Sequence, residues 1–241
     1  MKSMFKIQDR KPRKAPFKDI DVARAYDLGM RKSALMSYQK PANRILEQAK
    51  DEMSDIVEVG VNTGLLSLYI GGKLPDTPVS GIEENKILLE VAEENLNLAV
   101  WSSNKGDIEF EGGKFHAMPF EDGSADIVFS FSSLHMWRNP IAVLKECKRI
   151  CKHDGIVIIE DLNRAAEEGH ITFVLQFIKD GGNEFIEALG SSYTPAESRK
   201  LLNEAGLEEW NVYQEDLGLI ISSKPIDSLS SNLYTEDSND N

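Results

Sequence analysis

Apolar residues recur along the chain in two alternating patterns: short continuous runs and longer segments with helical spacing. The runs at 56–59, 79–82, 108–111, 126–129 and 156–159 contain many β-branched and aromatic residues, which favours strands. Segments such as 88–99 and 144–151 instead place apolar side chains three or four positions apart, on one face of a helix. Alternating strands and helices of this kind predict a parallel sheet covered on both faces.

The C-terminal part departs from this alternation. Residues 197–205 have helical spacing, and Gly206 stands where a helix C-cap glycine belongs. Two strand-like runs follow at 210–213 and 217–222, and the link between them is too short for a crossover helix, so the pair must be an antiparallel hairpin. We therefore predict an α/β fold: a Rossmann-like, doubly wound sheet of seven strands, mostly parallel, with a C-terminal antiparallel hairpin.

Charge and composition divide the chain into three parts. Residues 1–18 carry seven Lys or Arg against one Asp, which predicts a basic N-terminal arm. Residues 19–224 form a single predicted domain, with a helical N-terminal segment at 22–48 and a lid insertion at 164–192. Residues 225–241 are rich in Ser, Asn and Asp, so we expect an acidic, disordered tail.

Composition also limits the classes of partner. The formal net charge of −13 makes nucleic acid an unlikely partner, and the absence of a long apolar run predicts no membrane span. Two cysteines, Cys147 and Cys151, do not form a disulfide framework, which favours a reducing, cytoplasmic compartment. The sequence does not determine the oligomeric state.

The segment 57–64, Val-Glu-Val-Gly-Val-Asn-Thr-Gly, lies where the first predicted strand turns into a helix. Glycines at such a turn let the backbone approach a ligand, and the helix N-terminus offers free N–H groups. The dinucleotide fingerprint G-x-G-x-x-G fits badly, because Asn62 and Leu65 stand where its later glycines belong. The segment instead resembles the first motif of class I S-adenosylmethionine-dependent methyltransferases, an acidic residue followed by G-x-G-x-G.

Further motifs follow in the order of that family. Glu83 ends the run 79–83, residues 113–120 (GKFHAMPF) resemble the family's adenine-side loop, and residues 125–137 (ADIVFSFSSLHMW) resemble its fourth-strand motif. Residues 152–155 are similar to the turn before the fifth strand. The resemblance extends from about residue 26 to 224 and is closest to the methyltransferases of ubiquinone and menaquinone biosynthesis.

The resemblance implies S-adenosyl-L-methionine as the cofactor and a set of residues that bind it. Glu83 would hold the ribose hydroxyls, with Glu84 as the alternative acid, and the backbone N–H of Phe115 would pair with an adenine nitrogen. The complete predicted cofactor-binding set is Tyr26, Glu58, Gly60, Asn62, Thr63, Gly64, Glu83, Glu84, Lys114, Phe115, Ser130 and Phe131. Two of these depart from the family pattern: Asn62 replaces a glycine, and Lys114 replaces an acidic residue.

His135 is the candidate catalytic residue because it follows the fourth strand at the predicted crevice. It would act as a general base if the acceptor must lose a proton, or as a structural donor otherwise. Asp161 and Asn163 alone are too few oxygen ligands for Mg²⁺, so no metal is expected.

The sequence thus predicts an enzyme that transfers a methyl group from S-adenosylmethionine to a small-molecule acceptor by in-line displacement. Two alternatives remain: a non-catalytic protein that binds S-adenosylmethionine, and an RNA-modifying methyltransferase that uses the basic arm. The acceptor and the atom that is methylated are not determined by the sequence.

Overall fold

A computed structural model describes residues 9–12, 17–49, 54–99, 107–177 and 182–235, without the side chains of 33–36. Seven strands in these ranges form one sheet in the order β3-β2-β1-β4-β5-β7-β6. The strands are β1 Ile56–Val59, β2 Val79–Glu83, β3 Ile108–Gly112, β4 Ala125–Phe131, β5 Cys151–Leu162, β6 Asn211–Glu215 and β7 Gly218–Ser222. The first five are parallel, whereas β7 is antiparallel to both β5 and β6, which confirms the predicted sheet and hairpin.

Helices cover both faces of the sheet. They are α1 Ile20–Gln48, α2 Leu65–Lys73, α3 Lys86–Ala99, α4 Pro140–Ile150, α5 Glu168–Phe177, α6 Gly182–Ser191 and α7 Pro195–Ala205. Because neighbouring residues of a strand point to opposite faces, Ile56 packs in the apolar core beneath α1 and α2, while Val57 packs in the core beneath α4 and α7. This two-sided burial explains the continuous apolar run at residues 156–159 of β5, whereas β3 at the edge of the sheet alternates apolar and acidic residues.

The start of β5 differs from the prediction. A turn was expected at 152–155, but β5 already begins at Cys151, and four residues separate the partners of Ala125 and Ile127 along it. The extra residues form an irregularity inside the strand. Gly155 permits it, because a Cβ at this position would lie 2.6 Å from the carbonyl oxygen of Asp126.

Helix α1 is one continuous helix, although Pro41 lies inside it. Its C-terminal half is fixed to the sheet by Arg44, a buried side chain whose Nη1 lies 2.6 Å from Glu160 Oε2 on β5. Arg44 also pairs with Glu215 at the end of β6. Burial raises the pKa of Glu160 to about 7, and the neighbouring guanidinium opposes that rise. The C-terminal half of α1 is therefore fixed to β5 and to the end of β6.

The C-terminal residues correct the predicted disordered tail. Residues 225–235 continue as ordered chain, with a 3₁₀ turn at Asp227–Asn232 and buried side chains at Ile226, Leu229 and Tyr234. The Tyr234 N–H donates to the carbonyl of Val212 on β6 over 2.8 Å. Composition underestimated this segment because three well-spaced apolar residues are enough to hold it. The tail beyond 235, and most of the basic arm, lie outside the described residues.

The predicted lid insertion contains α5 and α6, and α6 packs against a 3₁₀ turn at Leu134–Met136 that follows β4. We call this the 134–136 turn. None of the helices in the described ranges is both long and apolar enough to cross a membrane.

Candidate active site

The turn between β1 and α2 combines three residues with positive φ: Gly60 at 83°, Asn62 at 52° and Gly64 at 77°. Asn62 therefore adopts the left-handed conformation that its short polar side chain tolerates, and its amide donates to the carbonyls of Gly60 and Phe131 at 3.3 Å. Gly60 also permits a close approach, since a Cβ there would lie 2.1 Å from Ser133 Oγ. The turn is thus fastened to the end of β4.

Thr63 completes this turn and connects it to the N-terminal helix. Its buried carbonyl accepts a 2.8 Å hydrogen bond from the side chain of Asn95 on α3, which also donates to Asp27 of α1. One helical position earlier, the half-buried ring of Tyr26 packs on Phe17 with ring centroids 5.0 Å apart. The structure therefore brings the start of α1 against the back of the turn.

Glu58 lies inside the molecule rather than at its surface. Only 1% of the residue is exposed, and it accepts a hydrogen bond from Ser67 Oγ on α2. Burial raises the pKa of Glu58 to about 8, while the bond from Ser67 opposes the rise. The described contact of this predicted cofactor residue is therefore structural, since it joins β1 to α2.

Glu83 lies at the carboxyl end of β2, beside the turn. Its Oε2 accepts the N–H of Asn62 at 3.0 Å, and its Oε1 accepts the N–H of Asn85 at 2.9 Å. Burial raises its pKa to about 7, and these two backbone donors oppose the rise. The Glu83 carboxylate at the end of β2 is thus held against the glycine-bearing turn that follows β1.

Glu84 points elsewhere and binds the adenine-side loop. Its Oε1 accepts the backbone N–H of Phe115 at 2.8 Å. This N–H is the donor that was predicted to bind the adenine ring. Phe115 itself is buried, whereas Lys114 is exposed. In this structure the Phe115 amide is therefore satisfied by the protein, and a ligand would have to replace Glu84.

The two predicted residues at the end of β4 face different neighbours. Ser130 is buried, and its Oγ donates to the carbonyl of Val59 at 2.7 Å, which links β4 to β1. Phe131 meets Tyr38 of α1 edge to face, with ring centroids 5.7 Å apart. Phe131 thus lies under the N-terminal helix at the carboxyl end of the sheet.

His135 sits in the 134–136 turn and is 3% exposed. Its Nδ1 lies 2.9 and 3.0 Å from the two carboxylate oxygens of Asp161 on β5, and its backbone N–H donates to Asp161 Oδ2 at 2.7 Å. The other ring nitrogen, Nε2, is buried without a hydrogen-bond partner. Sequence reasoning considered Asp161 only as a metal ligand, although its place directly after the apolar run of β5 was a signal for a site residue.

Arg10 reaches the same turn from the N-terminal arm. Its Nη2 donates to the carbonyl of His135 at 3.0 Å, its Nε donates to the carbonyl of Ser191 at 2.6 Å, and the guanidinium lies 3.9 Å from the ring centre of Tyr193. Nothing in the local sequence pattern indicated this contact. Part of the basic arm therefore bridges the 134–136 turn and the end of α6.

Comparisons with known proteins agree with this arrangement. Residues 57–159 match the family model described as a methyltransferase domain. A demethylmenaquinone methyltransferase of Thermotoga maritima is 26% identical over 142 residues, which cover 58% of each chain. The ubiquinone biosynthesis O-methyltransferase of Dinoroseobacter shibae is 26% identical over 151 residues, covering 60% of this chain and 59% of that protein. The chain thus spans less than two thirds of the length of these relatives.

Among solved structures, a S-adenosylmethionine-dependent methyltransferase from Aquifex aeolicus superposes with a TM-score of 0.62 at 19% identity, over 86% of this chain and 98% of that chain. This similarity concerns the fold. Together with the matched methyltransferase domain over residues 57–159, it agrees with the resemblance to class I S-adenosylmethionine-dependent methyltransferases that the motifs indicate. The names of the two curated relatives agree with the quinone-biosynthesis branch that the motifs indicated.

The matched methyltransferase domain and the similarity to S-adenosylmethionine-dependent structures support S-adenosylmethionine as the expected cofactor. Glu83 fits the ribose of this cofactor, because it presents a carboxylate at the end of β2 to which vicinal hydroxyls can donate hydrogen bonds. The adenine side fits less closely, because Glu84 already accepts the Phe115 N–H. The residue roles remain predictions, whereas the arrangement of turn and carboxylate is a structural fact.

Proposed function

We propose that this chain catalyses methyl transfer from S-adenosylmethionine to a small, partly apolar acceptor. The single observation that carries the proposal is the buried Glu83 carboxylate beside the glycine-bearing turn. The relatives named above act, according to their names, in menaquinone and ubiquinone synthesis, which supports a small-molecule acceptor of the quinone-precursor type. A cytoplasmic location is part of the same proposal and rests on cysteine usage alone.

When bound, S-adenosylmethionine supplies a methyl group activated by a positively charged sulfur. Glu83 would accept hydrogen bonds from the ribose, and the backbone of residues 60–64 would lie along the rest of the cofactor. Helix α1 and the lid helix α6 would cover the crevice, exclude water and hold the acceptor in line with the methyl carbon. Alignment of this kind contributes on the order of 7–11 kcal/mol to catalysis.

The test is calorimetry with S-adenosylmethionine and with its demethylated product, followed by a labelled-methyl screen of small molecules. We expect Glu83→Ala to weaken cofactor binding by about 10- to 150-fold, because a hydrogen bond to a charged group contributes about 1.5–3 kcal/mol. Glu93→Ala, at an exposed position of α3, is the matched control and should bind as the wild type does. The thermal unfolding midpoint of Glu83→Gln shows whether loss of the charge destabilises the fold, which separates weaker cofactor binding from unfolding.

Unchanged affinity in a folded Glu83→Ala variant would contradict the role of Glu83. Cofactor binding without transfer to any acceptor would favour the non-catalytic alternative. Transfer to RNA but not to small molecules would favour the RNA-modifying alternative.

A further inference from the structure

We infer that His135 is a general base held by Asp161, and that the acceptor is therefore one that loses a proton from the atom that is methylated. This inference rests on the proposed function and specifies its substrate class. Three observations support it. The contacts with Asp161 place the ring hydrogen on Nδ1, Nε2 has no hydrogen-bond partner, and the turn that holds the ring packs against α6.

Asp161 determines the tautomer of His135, because its carboxylate accepts hydrogen bonds from two backbone N–H groups as well as lying beside the ring. Oδ2 accepts the N–H of His135 at 2.7 Å, and Oδ1 accepts the N–H of Leu162 at 2.7 Å. Both oxygens are thus acceptors already, so the contacts at 2.9 and 3.0 Å to Nδ1 require Nδ1 to donate. The neutral imidazole consequently carries its hydrogen on Nδ1 and a bare lone pair on Nε2.

That lone pair is the unusual feature. Across the described ranges, only two buried side-chain polar atoms have no hydrogen-bond partner, and His135 Nε2 is one of them. A buried acceptor without a donor loses its hydrogen bonds to water without replacement, so such atoms are rare in native folds and call for a reason. A substrate that brings its own O–H or acidic C–H would satisfy this atom.

The position of the ring agrees with this use. The 134–136 turn follows β4 at the carboxyl end of the sheet, and β5 supplies Asp161 from the neighbouring strand end. Helix α6 packs on the turn, and Arg10 donates to the carbonyl of His135. The His135 ring therefore belongs to a turn at the carboxyl end of the sheet that packs against α6, and we infer that a covered acceptor would give its proton to Nε2 there, out of contact with water.

The acceptor O–H or C–H bond gives its proton to Nε2, and its electron pair forms the new bond to the methyl carbon. The bond between that carbon and the sulfonium sulfur breaks, and its electron pair stays on sulfur. The positive charge thus moves from sulfur to the imidazolium, which the Asp161 carboxylate stabilises. In this step His135 is the catalytic residue and Asp161 is a positioning residue.

The experiment begins with wild-type protein and labelled S-adenosylmethionine, and it compares two sets of acceptors. Phenols and 1,3-diketones must lose a proton, whereas pyridines and thioethers at neutral pH carry a free lone pair and no proton on the acceptor atom. We expect transfer to members of the first set. His135→Asn and Asp161→Asn should then lower kcat by about 10²- to 10⁴-fold while KM and cofactor affinity change little.

The control variants are His153→Asn and Asp154→Asn, both exposed at the opposite end of β5. They should keep wild-type rates. An independent readout is the nitrogen NMR spectrum of the His135 ring, which should show the Nδ1–H tautomer in wild type and lose that preference in Asp161→Asn. This measurement needs no substrate, so it tests the dyad even if one variant fails to fold.

Transfer only to pyridines or thioethers would overturn this inference and leave the proposed function intact. So would a kcat within about threefold of wild type in both folded variants, which is far below the usual effect of a general base. Wild-type protein that binds the cofactor but methylates neither set would overturn both proposals. An Nε2–H tautomer in the wild-type spectrum would overturn the dyad directly.

Discussion

The two sides of the crevice are built differently. On the proposed cofactor side, Glu83 and Glu84 are held by the backbone N–H groups of Asn62, Asn85 and Phe115, all within one stretch of β-α units. On the proposed acceptor side, His135 meets Asp161 from the next strand and Arg10 from the N-terminal arm. Backbone donors fix a carboxylate whatever the neighbouring side chains are, whereas the acceptor side depends on side chains from distant parts of the chain. We therefore expect substitutions on the second side to leave the first undisturbed.

The largest effect is expected from Gly60→Ala on the cofactor side. The added Cβ would meet Ser133 Oγ at 2.1 Å, and alanine disfavours a φ of 83°. Strain and overpacking together should lower the free energy of unfolding by about 2–5 kcal/mol and remove cofactor binding. Denaturant unfolding and calorimetry measure the two effects.

Gly206→Ala is the control for that change. Gly206 has a φ of 70° at the end of α7, but a Cβ there meets nothing within 4 Å. The free energy of unfolding should fall only by the conformational cost of about 1–2 kcal/mol, and cofactor affinity should be retained. Equal losses in both variants would show that the contact with Ser133 is unimportant.

The second prediction concerns pH and the buried acid of the cofactor side. The pKa of Glu58 rises from 4.5 to about 8 on burial, so the folded protein holds this proton more tightly than the unfolded chain does. Its contribution to stability is complete below pH 4.5 and is lost as the pH rises through 8. Between pH 5 and 7, Glu58→Gln should reduce the pH dependence of the unfolding free energy by about 1.4 kcal/mol per pH unit.

Urea unfolding at several pH values measures this slope. Glu93→Gln, exposed on α3, should leave the slope unchanged. Since burial also raises the pKa of Glu83 and Glu160, part of the slope should persist in Glu58→Gln. An identical slope in Glu58→Gln and wild type would mean that Glu58 is ionised in the folded protein.

The smallest effect is expected on the acceptor side. Arg10→Ala removes the ring contact with Tyr193 and two hydrogen bonds to carbonyls, which should lower the free energy of unfolding by about 1–2 kcal/mol. Cofactor affinity should stay within about twofold, because backbone donors hold that side independently. Lys11→Ala is the control, since within the described ranges Lys11 is held by its backbone N–H, which donates to the carbonyl of Gly190. A large loss of cofactor affinity in Arg10→Ala would show that the two sides are coupled.

Sequence reasoning recovered the sheet because each buried strand is a distinct apolar run. Residues 56–59 were predicted with the bounds that β1 has, and the hairpin followed from a link too short for a helix. The beginning of β5 was wrong because Asp154-Gly155 has the composition of a turn, while its actual role depends on packing against Asp126. Local patterns carry no information about such tertiary contacts.

The same limit applies to the candidate site. Glu83 was placed by its position after β2, and the structure puts its carboxylate beside the turn as expected from the strand order. The pairing of His135 with Asp161 depends on β4 and β5 being adjacent and in register, with Phe131 opposite Glu160. The contacts of Arg10 cross more than half the chain, and no periodicity or motif marks them.

The ordered C-terminal segment has a consequence for assembly. Strand β6 is the last strand of the sheet, and its outer side would offer unpaired N–H and C=O groups. The bridge between Tyr213 and Leu233, together with the bond from Tyr234 to Val212, occupies part of that side. A chain shortened at Lys224 would expose this strand to edge-to-edge pairing with other molecules, and self-association rather than loss of the fold would be its first symptom.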